Sequence, residues 1–264
     1  MKLKVMFVLL VVAMAWVWGR HNYHEVNAAV VTEGQKEIRQ SFQLTAGAQV
    51  EVRGINGAVD IETTDSNTAE VHIIRTAKDS SDLDRQQIIV EQTPTSLNIY
   101  GKKTEGSWRA MFGGGSVHNR VMLKLPRRVE LTTKGVNGPV IVGELDGAVH
   151  LSGINGRVEV AQSANFAEIA GINGGVTIGV TRLGPDGLTV KGVNGGVEIR
   201  LAQDLNADVD VKGLNGSVSL NIPNVTTQER SRSSLQAQIG TGGVPINIKG
   251  VNGGVRFVSA NGTR

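Results

Sequence analysis

The chain has 264 residues, with 27 Lys and Arg against 24 Asp and Glu, and it contains no cysteine. Without cysteine it has no disulfide framework, no thiol nucleophile, no cysteine-based zinc site and no lipid-modified N-terminal cysteine. Aromatic residues make up only 4% of the sequence, whereas glycine occurs 34 times. We therefore expect a narrow core of stacked Val, Ile and Leu side chains.

The N-terminal segment, residues 1–28, has the pattern of a secretory signal peptide. A basic start precedes an apolar run over 5–19, which as a helix would span about 22 Å, short of the roughly 30 Å core of a bilayer. We expect cleavage after Ala28. The alternative is that the segment stays uncleaved as a membrane anchor, and only in that case do we expect contact with a membrane. Cleavage removes Lys2, Lys4, Arg20 and Glu25 and so leaves a net charge of +1. A charge this small predicts no nucleic-acid partner.

Residues 29–130 are predicted to be an N-terminal β region, because short alternating segments are bounded there by turn residues. The first expected strand should pair with the first copy of the repeat described below, and the strands are expected at 38–44, 70–76, 87–91, 97–100 and 120–125. An irregular, glycine-rich loop at 101–119 carries Trp108 and Phe112. These aromatics predict contact with a ligand, and a loop folded over an open end of the sheets is the alternative.

A repeat typified by LTVKGVNGGVEI at 188–199 dominates the rest of the chain. Its other copies lie at 50–61, 131–142, 149–160, 167–178, 209–220 and 246–257. Each half alternates apolar residues with others, which indicates a short strand with one buried face. Asn-Gly between the halves is a turn signal. The residue before each Asn is always apolar, so we expect it to point into a core: Ile55, Val136, Ile154, Ile172, Val193, Leu214 and Val251.

From residue 131 onward the repeat asparagines are 18, 18, 21, 21 and 37 residues apart. This spacing predicts an all-β fold, a parallel β-solenoid of the β-helix or β-roll kind with two short strands per 18–21-residue coil. A row of antiparallel hairpins is the alternative. We expect regular coils over 131–257, with a longer polar loop at 221–243, and a tail at 258–264. Stacked side-chain amides should then form a ladder of Asn56, Asn137, Asn155, Asn173, Asn194, Asn215 and Asn252.

The Gly-Ile-Asn triplets at 54–56, 153–155 and 171–173, with the run at 121–138 that leads into the first regular coil, carry a family resemblance. They resemble the bacterial "putative adhesin" families of exported β-strand-repeat proteins, including the head GIN domain. The resemblance covers about 41–257. It implies export and an all-β repeat architecture, and it brings no catalytic motif.

The sequence gives little support for a catalytic function. The hydrolase, zinc-protease and phosphate-loop motifs are absent, and the five histidines lack metal-ligand spacing. Asp60, Glu159 and Glu198 share one position of the repeat, which a polysaccharide-processing enzyme could use. Other copies break that column with Ile141, Thr177, Ser219 and Arg256. We expect no catalytic residue, no metal and no cofactor.

A second column, three residues before each repeat Asn, is basic in five of seven copies: Arg53, Lys134, Ser152, Ala170, Lys191, Lys212 and Lys249. A cationic stripe predicts contact with anionic glycans, teichoic acid or lipopolysaccharide phosphates. The alternative is that these residues offset nearby acids and keep the strand face soluble, with candidate partners Glu51, Glu198, Asp208 and Asp210.

These features predict an exported protein, periplasmic, cell-surface or secreted, that is an adhesin-like, non-catalytic binding or structural module of the cell envelope. Its expected partner is an envelope polysaccharide or a surface protein. The alternatives are a self-associating envelope scaffold and a polysaccharide-processing enzyme. Because the last copy ends at Phe257 with no evident cap, we expect a partner or a second copy of the chain at that C-terminal edge.

Overall fold

The computed structural model describes residues 28–32, 34–103 and 116–260. The apolar run over 5–19 and the loop aromatics Trp108 and Phe112 lie outside the described residues. Within that part of the chain there are 22 strands in two sheets of 11, and one short helix, α1, at Ser80–Arg85. The fold is therefore all-β, as the alternating sequence predicts.

The strands have the following bounds. Before the regular repeats come β1 Ala28–Thr32, β2 Gln35–Gln43, β3 Gln49–Arg53, β4 Gly57–Thr64, β5 Thr68–Thr76, β6 Gln86–Thr93, β7 Ser96–Lys103 and β8 His118–Pro126. The next eight are β9 Glu130–Val136, β10 Val140–Leu145, β11 Val149–Ile154, β12 Val158–Ser163, β13 Ala167–Ile172, β14 Val176–Val180, β15 Leu188–Asn194 and β16 Val197–Leu201. The last six are β17 Ala207–Leu214, β18 Val218–Asn221, β19 Val225–Arg230, β20 Ser234–Ile239, β21 Val244–Asn252 and β22 Val255–Ser259.

Each copy of the repeat contributes one strand to each sheet. In the copy at 131–142, β9 pairs in parallel with β3 and β11, whereas β10 pairs in parallel with β4 and β12. The two strands of a copy do not pair with each other, so the antiparallel-hairpin alternative is wrong. We call two such strands at one height, one from each sheet, a rung.

Sheet A has the strand order β1-β2-β5-β8-β4-β10-β12-β14-β16-β22-β18, and sheet B has the order β19-β20-β17-β21-β15-β13-β11-β9-β3-β7-β6. Eight rungs follow from these orders, from β7–β8 at one end to β17–β18 at the other. In each sheet, every pairing between strands of neighbouring rungs is parallel.

The Asn-Gly corner that joins the two strands of a rung depends on glycine. Gly171 has φ +63°, a conformation that side chains disfavour. A Cβ on Gly174 would lie 2.3 Å from the carbonyl oxygen of Gly156 in the next rung, so only glycine permits this spacing. The apolar residue between the glycines turns inward and is buried in all seven copies: Ile55, Val136, Ile154, Ile172, Val193, Leu214 and Val251.

The core lies between the two sheets and consists of the inward-facing residues of both. In β15, Leu188, Val190 and Val193 are buried, whereas Lys191 is exposed. Burying each such aliphatic side chain contributes about 1.5–3 kcal/mol. Among the described residues of this cluster, rings come only from Phe42 and Phe257, in agreement with the aromatic-poor composition.

Antiparallel strands at both ends make the two sheets mixed, which corrects the prediction of a purely parallel arrangement. In sheet A, β5 runs antiparallel to β8 and β2, and β2 runs antiparallel to β1. In sheet B, β6–β7, β17–β20 and β19–β20 are antiparallel pairs. Of these pairs, β1–β2, β6–β7 and β19–β20 are hairpins with connections of a few residues, which permit only antiparallel pairing. The strand expected at 38–44 accordingly belongs to β2 and pairs with β5 rather than with the first copy.

The last copy of the repeat does not end the stack, which corrects a second prediction. β21 lies between β15 and β17, and β22 lies between β16 and β18. The rung at the end is therefore β17–β18, and the final copy, β21–β22, lies between this rung and the β15–β16 rung. Residues 221–243, predicted to be a polar loop, include the β19–β20 hairpin, which extends sheet B beyond β17.

Candidate functional site

The basic column forms one continuous line across the outer face of sheet B. Parallel register places its members side by side on consecutive strands, in the order Arg53, Lys134, Ser152, Ala170, Lys191, Lys249 and Lys212. The five basic members are exposed. Because the final copy is inserted beneath the β17–β18 rung, Lys249 lies between Lys191 and Lys212 rather than after them.

Acidic side chains neutralise part of this column. Nζ of Lys191 donates to Oε1 of Glu168 at 2.5 Å, and Nζ of Lys212 donates to Oδ2 of Asp210 at 2.7 Å. The Lys134 ammonium lies 3.7 Å from Glu51. The alternative that these lysines balance nearby acids therefore holds for Glu51 and Asp210 among the predicted partners.

The other two predicted partners lie elsewhere. Glu198 is on the outer face of sheet A, where Nε of Arg200 donates to it at 2.9 Å. Asp208 accepts the backbone N–H of Gly243 at 3.0 Å. Neither carboxylate forms an ion pair with a member of the basic column among the described residues.

We call Lys191, Lys249 and Lys212 the lysine triplet. They occupy three neighbouring strands, β15, β21 and β17, and their backbones span about 10 Å. Two of them are paired with carboxylates, but the side-chain ammonium of the central Lys249 forms no ion pair or hydrogen bond with any described residue. A solvated ammonium between two further cations is a suitable binding site for an anion.

The two small members of the column, Ser152 and Ala170, form the floor of a shallow depression of about 540 Å³. Lys134 and Lys191 lie at its two ends, and the acidic Glu168 is among its other lining residues. The interruption of the basic column is thus a polar hollow flanked by two cations.

Sequence reasoning missed the neighbours that adjust this surface. The Arg53 guanidinium lies 4.7 Å from the ring centroid of Tyr100 on β7, a cation–π contact. The hydrogen bond from Lys191, with a smaller contribution from His150, holds the pKa of Glu168 below its usual 4.5. Glu168 therefore stays ionised in mildly acidic solution. A signal was present, because Glu168 lies two residues before a column position and so shares its strand face.

A second line of side chains follows the corners. Nδ2 of every repeat asparagine except Asn56 donates to Oδ1 of its neighbour at 2.9–3.0 Å, in the order Asn56, Asn137, Asn155, Asn173, Asn194, Asn252 and Asn215. At the first end, Nδ2 of Asn56 donates to the carbonyl of Val117 at 2.8 Å. Each amide thus ties one rung to the next, which is a structural role.

No protein-family model matches this chain, and no curated protein is similar to it.

Several solved structures resemble it. A "putative cell adhesion protein" from Clostridium sporogenes ATCC 15579 has a TM-score of 0.44 at 12% identity, with 85% of this chain and 99% of that chain covered. A "putative adhesin" from Parabacteroides merdae ATCC 43184 has a TM-score of 0.27 at 14% identity, with 84% and 96% covered. A "putative adhesin" from Bacteroides fragilis NCTC 9343 has a TM-score of 0.30 at 11% identity, with 84% and 97% covered.

The carboxylate column of sheet A is occupied by ion pairs. Asp60 lies 3.4 Å from Arg120, and Glu159 lies 3.2 Å from Arg157. Glu198 pairs with Arg200, as described above, and lies 4.0 Å from Arg256. Each of the three acids weighed for polysaccharide chemistry thus has an arginine beside it, and ion pairing accounts for their presence.

The histidines are spread over the molecule. His72 contacts Glu37, His118 lies 3.1 Å from the Ser116 hydroxyl, and His150 lies 3.6 Å from Glu168. Within the described ranges, no group of three or more His, Asp or Glu side chains is arranged to hold a metal ion. Those ranges also contain no helix with the length and apolar character needed to cross a bilayer.

Proposed function

We propose that the protein is an exported, non-catalytic binding module of the cell envelope, and that the outer face of sheet B holds anionic polymers. The observation that carries this proposal is Lys249, an exposed ammonium between two other lysines with no partner among the described residues. A polymer with anionic groups along its length meets several cations at once, so weak contacts add up to useful affinity.

The repeat architecture supports this function. We propose that the eight rungs form a parallel β-solenoid, bracketed by antiparallel strands, in which every strand presents its outward side chains at a spacing of about 4.8 Å. Such a surface is repetitive and extends over many strands, and it matches an extended ligand better than a compact one. The hollow over Ser152 and Ala170 lies in the same line as the lysine triplet, so one polymer chain can cover both.

Location in the envelope rests on the sequence. We propose that residues 1–28 direct export and are then removed, that 29–130 and 131–257 are the N-terminal and regular parts of one β structure, and that 258–264 are a tail. The destination is the periplasm, the cell surface or the medium, and the partner is then an envelope polysaccharide or a surface protein. The Gly-Ile-Asn resemblance to adhesin-like proteins favours the same assignment.

Charge reversal tests the binding surface directly. The variant with Lys191→Glu, Lys249→Glu and Lys212→Glu should lose at least about tenfold in affinity for purified teichoic acid, lipopolysaccharide and polygalacturonate, measured by calorimetry at low salt. Binding by the unmodified protein should weaken as the salt concentration rises, because screening reduces attraction between exposed charges.

The matched control reverses three arginines on the opposite sheet, Arg157, Arg200 and Arg256, and therefore changes the net charge by the same amount. This variant should bind nearly as well as the unmodified protein, and melting curves should show that both variants are folded. Equal losses in the two variants, or no loss in the lysine variant, would exclude a polymer site on sheet B.

A second candidate function is self-association into an envelope scaffold. The observation that favours it is the edge of sheet A, where β18 has a strand neighbour on one side only. Unpaired strand edges pair readily with other strands unless they are blocked. The two functions are compatible, because the edges and the outer face of sheet B are different surfaces.

A further inference from the structure

The two ends of the stack are stepped in opposite senses. Beyond the β7–β8 rung, sheet A continues with β5, β2 and β1, whereas sheet B continues with β6 alone. Beyond the β17–β18 rung, sheet B continues with β20 and β19, whereas sheet A stops at β18. Sheet A thus overhangs by two strands at the first end, and sheet B overhangs by two strands at the second.

The recessed strand at the second end, β18, has backbone groups directed outward. The N–H of Val255 donates to the carbonyl of Ser217, and direction alternates along a parallel strand, so the groups of Val218 and Leu220 point away from β22. Nη2 of Arg230, reaching from the overhanging hairpin, donates to the carbonyl of Val218 at 3.1 Å. No described residue bonds the outward groups of Leu220, and β18 has no charged side chain to repel another strand.

A second copy in the same orientation fits both steps together. Three successive antiparallel pairings separate β1 from the parallel strands of sheet A, so β1 of the next copy runs antiparallel to β18. In sheet B, two antiparallel pairings separate β19 from the parallel strands, so β19 runs in their direction. One antiparallel pairing separates β6 from them, so β6 of the next copy runs antiparallel to β19. Because each sheet has 11 strands, the next β7–β8 rung then lies level in both sheets.

Charge favours this contact over a two-fold contact between like ends. Residues 79–93, which form α1 and β6, contain four acidic residues and one arginine, and Glu91 is exposed. Residues 218–239, at the opposite end, contain one glutamate and two arginines. Neither Arg230 nor Arg232 forms an ion pair with a described residue. A two-fold contact of the β18 ends would bring these arginines of both copies together, whereas a head-to-tail contact places them near the acidic segment 79–93, which includes β6 of sheet B.

We infer that copies of this chain assemble head to tail, with β18 of one copy paired to β1 of the next and β19 paired to β6. Both sheets then continue through the junction without a gap. The repeat distance along the assembly is 11 strand spacings, or about 53 Å. This inference rests on the self-association candidate above and is independent of polymer binding by sheet B.

Blocking each end separately tests the inference. Ser219→Lys with Leu220→Lys introduces two charges into β18, and Val30→Lys with Val31→Lys introduces two charges into β1. The protein purified from cells that export it should form assemblies with a repeat of about 53 Å in electron micrographs. Each variant alone should be monomeric by analytical ultracentrifugation. An equimolar mixture should form dimers and nothing larger, since one intact end of each kind remains.

Thr177→Lys, in the middle of sheet A, is the control and should assemble like the unmodified protein. All variants should still bind teichoic acid, so a failure of assembly is distinguishable from a failure of the polymer site. Retained binding and formation of mixed dimers also show that the variants are folded. Dimers of the β1 variant alone would point to a two-fold contact of the β18 ends, and a monomeric unmodified protein at high concentration would exclude end-to-end assembly. Either result overturns the inference.

Discussion

Each repeat asparagine uses its side chain to join neighbouring rungs. Asn155 donates to Asn137 and accepts from Asn173, both at 2.9 Å, so an internal member of the ladder takes part in two hydrogen bonds. Asn215, at the end, donates to Asn252 and accepts from no described residue. Amide ladders of this kind are typical of stacked β structures, in which identical residues lie above one another.

Asn155→Ala should therefore destabilise the protein about twice as much as Asn215→Ala. A hydrogen bond contributes about 0.5–1.5 kcal/mol net, so we expect losses of about 2 and about 1 kcal/mol in the free energy of unfolding. Urea denaturation of both variants checks this ratio. Equal effects at the two positions would show that the amides act singly and not as a ladder.

The repeat pattern predicts which residues share the ladder and the basic column, because equivalent positions of a stacked repeat lie above one another. It does not predict the order of the last two members. The 37-residue step between Asn215 and Asn252 is long enough for the chain to leave the stack and return on either side of β17. Only the strand register, which places Lys249 between Lys191 and Lys212, shows that the three lysines are neighbours and that the lysine without an ion pair is the central one.

At the scale of elements, the corners depend on the close approach of neighbouring backbones. Gly174 and Gly175 are adjacent in sequence but differ in surroundings. A Cβ on Gly174 would meet backbone at 2.3 Å, whereas one on Gly175 would have its nearest neighbour at 3.7 Å. Arg157 and Ser217 occupy the position of Gly175 in other copies, so side chains are accepted there.

Gly174→Ala should lower the free energy of unfolding by about 2 kcal/mol or more, because the rungs must separate to admit the methyl group. Gly175→Ala, the matched control, should change it by at most about 1 kcal/mol and in the stabilising direction, because alanine restricts the unfolded chain. Thermal and urea denaturation of the pair decide the matter. A similar loss from both substitutions would contradict the corner geometry.

The end elements were harder to predict than the corners. Residues 221–243 contain many polar residues, which suggested a loop, yet Leu235, Ala237 and Ile239 alternate and are buried in β20. That alternation was the available signal for a strand. Its antiparallel partner β19 has mostly exposed side chains, so its pattern gives no sign of a buried face, and its pairing depends on contacts distant in sequence.

At the scale of the whole molecule, the insertion of the last copy determines which residues of sheet B are neighbours. Thr189 of β15 lies in register with Asn247 of β21, and Asn247 lies in register with Asp210 of β17. Thr189 and Asp210 are therefore two strands apart. If the copies were stacked in chain order, these two residues would instead be direct neighbours.

Because the chain has no cysteine, engineered pairs report this order cleanly. Thr189→Cys with Asn247→Cys should form an internal disulfide under mild oxidation, since neighbouring strands bring the two Cα atoms within the range of about 4.4–6.8 Å that a disulfide needs. Thr189→Cys with Asp210→Cys should not. Mass spectrometry of peptides from the oxidised proteins distinguishes the two, and the reverse pattern would place the copies in chain order.

The two outer faces of the molecule differ in how their cations are used. On sheet A, Arg157 and Arg200 each pair with a glutamate, at 3.2 and 2.9 Å. On sheet B, the central cation of the lysine triplet has no acidic partner among the described residues. The molecule therefore presents one largely neutralised face and one face on which the central lysine of the triplet lacks an acidic partner.

Lysine footprinting tests that difference most directly. The protein is acetylated by a brief pulse of reagent, with and without purified teichoic acid, and modification is measured at each lysine by mass spectrometry. We expect the polymer to protect Lys249 most, with weaker protection of Lys191 and Lys212, while Lys124 on the exposed face of sheet A reacts equally in both samples. Unchanged reactivity of Lys249, or equal protection of Lys124, would contradict a polymer-binding face on sheet B.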